Sequence, residues 1–354
     1  MRRVYLIRHA HPDFPAGAHV CLGRTDMPLG TLGKMQGCLL GESFCGTALS
    51  TVFSSPLRRC LQTAAALGMT AVPVPELAEQ NMGVWDGLDF DEIRSGWPEL
   101  YERRKDEPLL VPPGAETLGE VQTRVLPAFH RCLRESEGDI AIVAHASVVQ
   151  AILAELCAVP LAESRKLRPD YTGCALLLDD GERTEAVKLN RLPEIPLTPE
   201  LAEKLLQRAE IGERIVRHSR AVAKEALRIA EALPLKLDIG LLESAALLHD
   251  AARTEKNHAV LGARWLRMLG FDEAAAVTER HHDHDGETLD ETAILYIADK
   301  VIQEDRQVSL HERFEASLEK CGTDEARAAH ERRLQAAKKI QTKCNQLCGY
   351  ELIR

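Results

Sequence analysis

The sequence changes its hydrophobic periodicity once, at a proline-rich segment, and this change limits the chain to two structurally different domains. Residues 192–199 hold three prolines in eight positions, which cannot continue a helix and are typical of a linker. Before this segment, strand-like apolar runs alternate with helical patterns, as in residues 140–143 followed by 147–156. After it, the pattern is that of consecutive amphipathic helices.

The 354-residue chain also exceeds the usual size of a single domain. We therefore predict an α/β domain with a mostly parallel sheet over residues 1–192, a linker at 193–199, and an all-α domain over 200–354 that ends in a helical extension.

Composition narrows the class of partners. A net charge of −10 argues against nucleic acid or an anionic membrane as the main partner.

Ten cysteines scattered through apparent core segments are typical of reduced thiols in a cytoplasmic protein and not of a disulfide framework. The apolar stretch 140–162 contains His145, Gln150 and Glu155, so we expect a strand plus a helix there and no membrane span. The oligomeric state stays open.

Two strand-like segments end in histidine. Residues 4–7 run into Arg8-His9, and residues 140–144 run into His145. Ligands of open α/β sheets bind beyond the carboxyl ends of the strands. Between these segments, residues 52–59 (Val-Phe-Ser-Ser-Pro-Leu-Arg-Arg) read as a short strand followed by a helix start that carries arginines. Helix N-termini attract anions, a guanidinium forks onto oxygens, and an imidazole can attack phosphorus. The pattern predicts a site for a phosphoryl group.

These motifs and Leu77-Ala78-Glu79, in this order, resemble the histidine phosphatase superfamily, which has the phosphoglycerate mutase-like fold, across about residues 1–192. The resemblance implies a three-layer α/β fold and a phosphomonoesterase that needs no metal. It also implies that His9 is the nucleophile and becomes a phosphohistidine, while Glu79 protonates the leaving oxygen and later activates water. The other implied phosphate-binding residues are Arg8, Arg59 and His145, and Arg24 is a further candidate.

Some alternatives stay open in this half. Glu79 stands in a polar loop, where a carboxylate without a special role is the default. Ala10 and Ala146 occupy positions that are usually glycine in the family, so we expect the backbone to approach the phosphate slightly less closely. Residues 112–117 resemble the phosphatase branch near α-ribazole phosphatase, which favours a phosphatase over a mutase. Residues 101–105 supply basic groups that a mutase pocket can also use.

The helical half has a second set of candidate residues. His218 follows Ile215 by three positions and precedes Val222 by four, which places it on the inward face of a helix. His249-Asp250 ends an apolar run, and Asp299 lies in another. Buried carboxylates need cations, and imidazole and carboxylate groups that converge from three helices suit a divalent metal. A lone inward histidine is more often a hydrogen-bonded core residue, but the set together favours metal.

The order His, His-Asp, Asp resembles the HD phosphohydrolase superfamily across about residues 199–314. Residues 296–300 are most similar to the branch of bacterial diadenosine tetraphosphate hydrolases. The resemblance implies two metal ions, and nitrogen-plus-oxygen ligation favours iron, manganese, cobalt or nickel over zinc. The implied ligands are His218, His249, Asp250, His258, His281 and Asp299. His282 is open between ligand and loop residue, and we expect His284 to be a solvated loop residue.

The sequence therefore predicts a bifunctional phosphohydrolase. Its first half would be a metal-independent phosphomonoesterase without a cofactor. Its second half would be a metal-dependent hydrolase of a nucleotide or related phosphorylated metabolite. Besides a mutase in the first half, the alternative is a second half that senses a nucleotide or metal without turnover and regulates the phosphatase.

Overall fold

The chain forms two compact units that divide inside the proline-rich segment. The structure, a computed structural model, describes residues 1–15, 18, 20–107, 109–319 and 321–353. The units are Met1–Ile195 and Pro196–Arg354. Pro199 is already the first residue of a helix, because proline lacks only an N–H that the first turn does not need. The helical region thus begins at the last residue of the predicted linker.

The first unit alternates strands and helices, as the sequence predicts. Its strands are β1 (Arg2–Arg8), β2 (Leu49–Ser54), β3 (Val72–Pro73), β4 (Asp139–Ala144), β5 (Cys174–Asp179) and β6 (Thr184–Arg191). Its helices are α1 (Thr31–Ser43), α2 (Arg58–Ala65), α3 (Phe90–Gly96), α4 (Pro98–Asp106), α5 (Leu118–Arg134) and α6 (Ala146–Leu156). Short 3-10 turns cover Pro75–Leu77, Gly83–Trp85 and Leu161–Leu167.

The six strands form one mixed sheet in the order β3-β2-β4-β1-β5-β6. The neighbours from β3 to β1 are parallel, whereas β5 and β6 are added antiparallel at one side. The register sets Val4 opposite Ile140 and Arg8 opposite Ala144. The carboxyl ends of the two central strands, and the residues that follow them, therefore lie side by side.

Apolar residues alternate between the two faces of the sheet, and helices cover both faces. Along β4, Ile140 and Ile142 belong to a core cluster with residues of α5 and α6. Ala141 and Val143 belong to a second cluster with residues of α1 and α2. This arrangement confirms the predicted three-layer α/β fold. It also explains why β4 is apolar from Ile140 to Ala144, since a strand covered on both faces has no solvent side.

The second unit is helical, with one small exception. Its helices are α7 (Pro199–Arg208), α8 (Glu213–Ala232), α9 (Ile239–Leu248), α10 (His258–Met268), α11 (Asp272–Glu279), α12 (Glu291–Lys300), α13 (Leu310–Leu318) and α14 (Asp324–Cys348). The exception is a hairpin of β7 (Ile302–Gln303) and β8 (Arg306–Gln307), which the all-α prediction missed. Glu304 adopts a positive φ of 59° in its turn, a local conformation without a hydrophobic period.

Within the described residues, no single helix is both long and apolar enough to cross a membrane. The bent pair Ala146–Leu156 and Leu161–Leu167 meets that test together, on length and composition only. All ten cysteines are among the described residues, and none forms a disulfide.

Candidate active site and candidate metal centre

The ends of β1 and β4 bring His9 and His145 together. The backbone N–H of His9 donates to the carbonyl of Ala144 at 2.9 Å, which continues the parallel ladder one residue beyond β1. The two imidazole centroids are 5.1 Å apart. Both side chains are buried, with 3% and 0% of the residue exposed. The two buried imidazoles lie at the carboxyl ends of two central parallel strands. Open α/β sheets bind their ligands at this position.

The hydrogen bonds of His9 determine its tautomer. Its Nδ1 lies 2.7 Å from the carbonyl oxygen of Ala10. Because a carbonyl can only accept, Nδ1 carries the proton and Nε2 carries the lone pair. Burial lowers the pKa of His9 well below its ordinary value, and the charges of Arg59 and Arg8 lower it further. A neutral imidazole with a free Nε2 lone pair is the form that can attack phosphorus.

Two guanidinium groups, that of the buried Arg59 and that of the partly buried Arg8, lie near the histidines. Arg59 is fully buried and donates to the carbonyls of Thr25, at 2.8 Å, and Gly23, at 2.7 Å. The guanidinium of Arg8 lies 3.8 Å from the ring centroid of Tyr171 and donates to Pro169 at 2.8 Å. Within the described residues neither arginine has a carboxylate partner, and the Nε of each is buried without a hydrogen-bond partner. Such donors suit an oxyanion with several oxygens.

His145 is held by the segment between β2 and α2. Its Nε2 lies 2.7 Å from Oγ of Ser55, a residue of the Ser-Ser-Pro-Leu motif. Burial and the charge of Arg59 hold the pKa of His145 well below its ordinary value, so this imidazole is also neutral. The sequence motif contained Ser55, yet only the fold reveals its contact with His145.

Glu79 is buried, unlike an ordinary loop carboxylate, with 6% of the residue exposed. Its Oε1 accepts from the backbone N–H of Gln80 at 2.8 Å. The loop is braced by Arg124, which donates to the carbonyl of Glu79 at 3.1 Å and forms an ion pair of 2.9 Å with Glu116. These bonds fix the position of Glu79 in its loop.

Arg24 does not belong to this buried group. Its side chain is about half exposed, pairs with Glu116 at 3.1 Å and reaches the carbonyl of Glu79 at 3.4 Å. A phosphate-binding role for Arg24 therefore stays a prediction.

Ala10 and Ala146 are buried, and the N–H of Ala10 donates to Oγ1 of Thr63 at 3.0 Å.

In the helical unit, Asp250 lies between two sets of imidazoles. Its Oδ2 is 3.8 Å from Nε2 of His218 and 3.6 Å from Nε2 of His249. Its Oδ1 is 3.2 Å from Nε2 of His258 and 3.7 Å from Nε2 of His281. The two oxygens of one carboxylate thus face two different sets of imidazoles.

The candidate ligand atoms fall into two groups, each within 4.8 Å. One group is His218, His249 and Asp299; the other is Asp250, His258, His281 and His282. All six predicted ligands are therefore brought together. His282 joins them, with its Nε2 2.8 Å from Nε2 of His258.

The donor atoms fit a metal. Nδ1 of His249 and His281 bond to the carbonyls of Ala246, at 2.7 Å, and Thr278, at 2.6 Å. Their Nε2 atoms are buried and have no hydrogen-bond partner in the described part of the chain. Burial also lowers the pKa of His249 to about 4. Neutral imidazoles whose second nitrogen is held by a carbonyl are the usual form of a metal ligand.

The two carboxylates are ionised. Burial acts to raise the pKa of Asp299, but Lys300 and His218 outweigh it and hold that pKa well below the ordinary value. Nζ of Lys300 lies 2.7 Å from Asp299. Similarly, burial acts to raise the pKa of Asp250, but His249 and neighbouring imidazoles lower it overall.

Sequence reasoning did not single out Arg253. Its Nη1 lies 3.3 Å from Oδ1 of Asp250 and 3.0 Å from Nε2 of His258. A cation ligated by those two atoms would compete with this guanidinium.

His284 lies in a loop as predicted, but the prediction that it is solvated was wrong. Its residue is only 7% exposed, and its Nδ1 accepts from the N–H of Gly286 at 2.9 Å. Gly286 has φ of 77°, and a Cβ there would lie 2.8 Å from the carbonyl of Ala336. The turn therefore packs against α14, and a polar sequence around a histidine did not reveal this.

Comparisons with known proteins match both units. The family model for the histidine phosphatase superfamily (branch 1) matches residues 4–192, and the HD domain model matches residues 215–303. Phosphoserine phosphatase 1 of Hydrogenobacter thermophilus is 27% identical over 198 residues, which are 54% of this chain and 92% of that protein. Glucosyl-3-phosphoglycerate phosphatase of Mycolicibacterium vanbaalenii is 29% identical over 173 residues, 46% of this chain and 76% of that protein.

A third relative, named "Probable phosphoglycerate mutase GpmB", from Yersinia pestis, is 31% identical over 178 residues, 48% of this chain and 80% of that protein. The solved structure of mycobacterial hydrolase 2 shares the fold of the first unit, with a TM-score of 0.51 and 22% identity. The match covers 59% of this chain and 97% of that one. The chain therefore belongs to the histidine phosphatase superfamily (branch 1), carries an HD domain in the same polypeptide, and is a phosphate-ester hydrolase.

Proposed function

We propose that the protein is a bifunctional phosphohydrolase with a metal-free site in the first unit and a metal-dependent site in the second. The observation that supports this most is the difference between the two clusters. The first offers a neutral His9 and the guanidinium donors of Arg8 and Arg59, neither of which pairs with a carboxylate among the described residues. The second offers imidazole lone pairs around two ionised carboxylates. One suits an anion and the other suits cations.

In the first unit, Nε2 of His9 would attack the phosphorus of a phosphomonoester, and the ester P–O bond would break. Glu79 would give its proton to the leaving oxygen. Glu79 would then take a proton from water as the oxygen of that water attacks the phosphohistidine, which releases inorganic phosphate and restores His9. Arg8, Arg59 and His145 would stabilise the charge on the equatorial oxygens throughout.

In the second unit, His218, His249, Asp250 and Asp299 would hold one divalent ion. His258 and His281, with His282 beside them, would recruit a second. Such ions supply Lewis-acid polarisation of phosphoryl oxygens and acidify water. Mixed nitrogen and oxygen donors favour iron, manganese, cobalt or nickel. We propose a nucleotide or related phosphorylated metabolite as the substrate class, with the diadenosine tetraphosphate hydrolase branch as the nearest resemblance.

A phosphomutase is the second candidate for the first unit, because one relative at 31% identity is named as a mutase. Incubation with a phosphomonoester labelled in its phosphate discriminates the two. Release of labelled inorganic phosphate indicates a phosphatase, whereas label that moves within the substrate without release indicates a mutase.

Chelation tests the proposal as a whole. The intact chain should hydrolyse an aryl phosphate equally well with and without EDTA, and phosphoserine and glucosyl-3-phosphoglycerate are the first natural esters to try. Hydrolysis of dinucleoside polyphosphates and nucleotides should stop in EDTA and return with added manganese or iron. Loss of aryl phosphatase activity in EDTA would refute the metal-free site. Metal binding without turnover of any nucleotide would favour a sensing module in the second unit.

The free thiols support a cytoplasmic location.

A further inference from the structure

The first unit contains a cavity of about 270 Å³ that begins at the catalytic loops. Gln80 and Ser147, which follow Glu79 and His145 closely in the chain, form part of its lining. Oγ of Ser147 donates to the side chain of Gln80 at 3.0 Å, so these two walls are joined. A substrate whose phosphate lies at His9 would extend into this cavity.

The cavity lining combines aromatic and aliphatic side chains with cations from two chain segments. Trp85 and Tyr101 contribute aromatic surface. Arg104 comes from α4, and Arg165 and Arg168 come from the 3-10 turn after α6 and the residue that follows it. The lining residues include no aspartate or glutamate.

These three arginines lack acidic partners. Among the described residues no ion pair involves any of them, whereas the neighbouring Lys105 pairs with Glu102 at 2.5 Å. Arg104 donates its Nε to the carbonyl of Leu110 at 3.1 Å, and its guanidinium lies 5.4 Å from the ring centroid of Trp85. The carbonyl satisfies one donor of Arg104 and neutralises none of its charge.

The arginines also influence each other and the catalytic site. Burial lowers the pKa of Arg104, and the charges of Arg168 and Arg165 lower it further. The charge of Arg168 likewise adds to the lowering effect of burial on the pKa of Arg8. Arg168 therefore lies within electrostatic range of both the catalytic guanidinium and Arg104. Positive charges that lie close together without counter-charges repel each other. An anion that binds among them would offset this repulsion.

We infer that the substrate of the first unit is a phosphomonoester that carries a second anionic group, carboxylate or phosphate, which Arg104, Arg165 and Arg168 bind across an apolar spacer. This inference rests on the proposed phosphatase function and adds its substrate class. The catalytic groups alone would accept any phosphomonoester, so these arginines would set the preference.

Matched aryl esters test the inference with the intact chain in EDTA. The pair is 4-carboxyphenyl phosphate and its methyl ester, which differ in one negative charge, and 1,4-phenylene bisphosphate supplies the phosphate arm. We expect kcat/KM for at least one of the two esters with an anionic tail to exceed that of the methyl ester by about tenfold or more, the effect of one charge-assisted hydrogen bond. The better of the two tails identifies the group.

Variants locate the preference. Arg168→Gln and Arg104→Gln should each reduce that ratio several-fold. Lys166→Gln removes an exposed charge from the same turn, does not line the cavity, and should leave the ratio as in the wild type. A wild-type ratio near one for both tails, or an unchanged ratio in both arginine variants, would overturn the inference alone. No turnover of any of the three esters would overturn the proposed phosphatase and the inference with it.

Discussion

Replacement of Arg59 by lysine isolates the part that its guanidinium plays in binding the phosphoryl group. Arg59 donates two N–H groups to the carbonyls of Thr25 and Gly23, and its buried Nε–H has no partner among the described residues. Lysine keeps the charge but carries its donors on one nitrogen. It cannot span both carbonyls and also reach a phosphoryl oxygen from the direction of Nε.

The magnitude follows from the bond that is lost. A hydrogen bond to a charged group contributes about 1.5–3 kcal/mol. At about 1.4 kcal/mol for each factor of ten, kcat/KM of Arg59→Lys should fall by about 10- to 150-fold. Inhibition by inorganic phosphate should weaken in parallel, because the free anion uses the same donor.

Arg58→Lys is the matched control. Arg58 is the preceding residue of α2, its side chain is exposed, and the same substitution there should change kcat/KM by less than about twofold. The assay is steady-state hydrolysis of an aryl phosphate in EDTA, with thermal unfolding to verify that both variants are folded. Equal kcat/KM for Arg59→Lys and Arg58→Lys in folded proteins would refute the assignment of Arg59 to the phosphoryl group.

Three further predictions concern the acid, the metal and pH. Glu79→Gln should lower kcat by about 10²- to 10⁴-fold with little change in inhibition by phosphate, since only proton transfer is removed; a change below threefold would exclude Glu79 as the acid. Asp250→Ala should abolish metal content, measured by elemental analysis of protein purified without a chelating column, and leave the EDTA-resistant phosphatase intact; unchanged metal content would contradict the assignment of Asp250 as a ligand. His9 and His145 have pKa values well below the ordinary 6.5, so unfolded chains bind more protons than folded ones below that pH. The free energy of unfolding of the first unit should therefore fall by about 1.4 kcal/mol per pH unit for each buried histidine as pH drops below 6.5, and His145→Asn should remove one such increment. The measurement is denaturant unfolding at a series of pH values. If the free energy of unfolding changes with pH equally in both proteins, His145 is not a buried neutral imidazole.

The sequence was informative where a chemical group interrupts a regular pattern. His9 and His145 end apolar strands, and the register of β1 with β4 makes their meeting a consequence of the strand pairing. Likewise, Asp299 lies in a helix that is otherwise apolar, so its need for cations followed from the cost of a buried charge.

The remainder depends on contacts between distant segments that have no period. Tyr171 supports Arg8 from a loop, and Arg253 reaches Asp250 and His258 from a turn. For Glu79 the sequence left an ordinary loop carboxylate open as an alternative to the implied acid, because the bond from Arg124 that braces its loop spans 45 positions. Arg165 and Arg168 belong to none of the sequence motifs. Their relation to Arg104 becomes visible only because all three line the same cavity.

The central claim is that the first unit works through a covalent phosphohistidine at His9 without metal, and trapping of that intermediate tests it most directly. Wild-type protein in EDTA is mixed with a ³²P-labelled aryl phosphate, quenched within the first turnovers and digested for peptide mapping. We predict phosphate that is labile in acid and stable in base on the peptide that contains His9, and none in His9→Ala. Label on any other residue, or a phosphoenzyme that forms only when metal is added, would contradict the account.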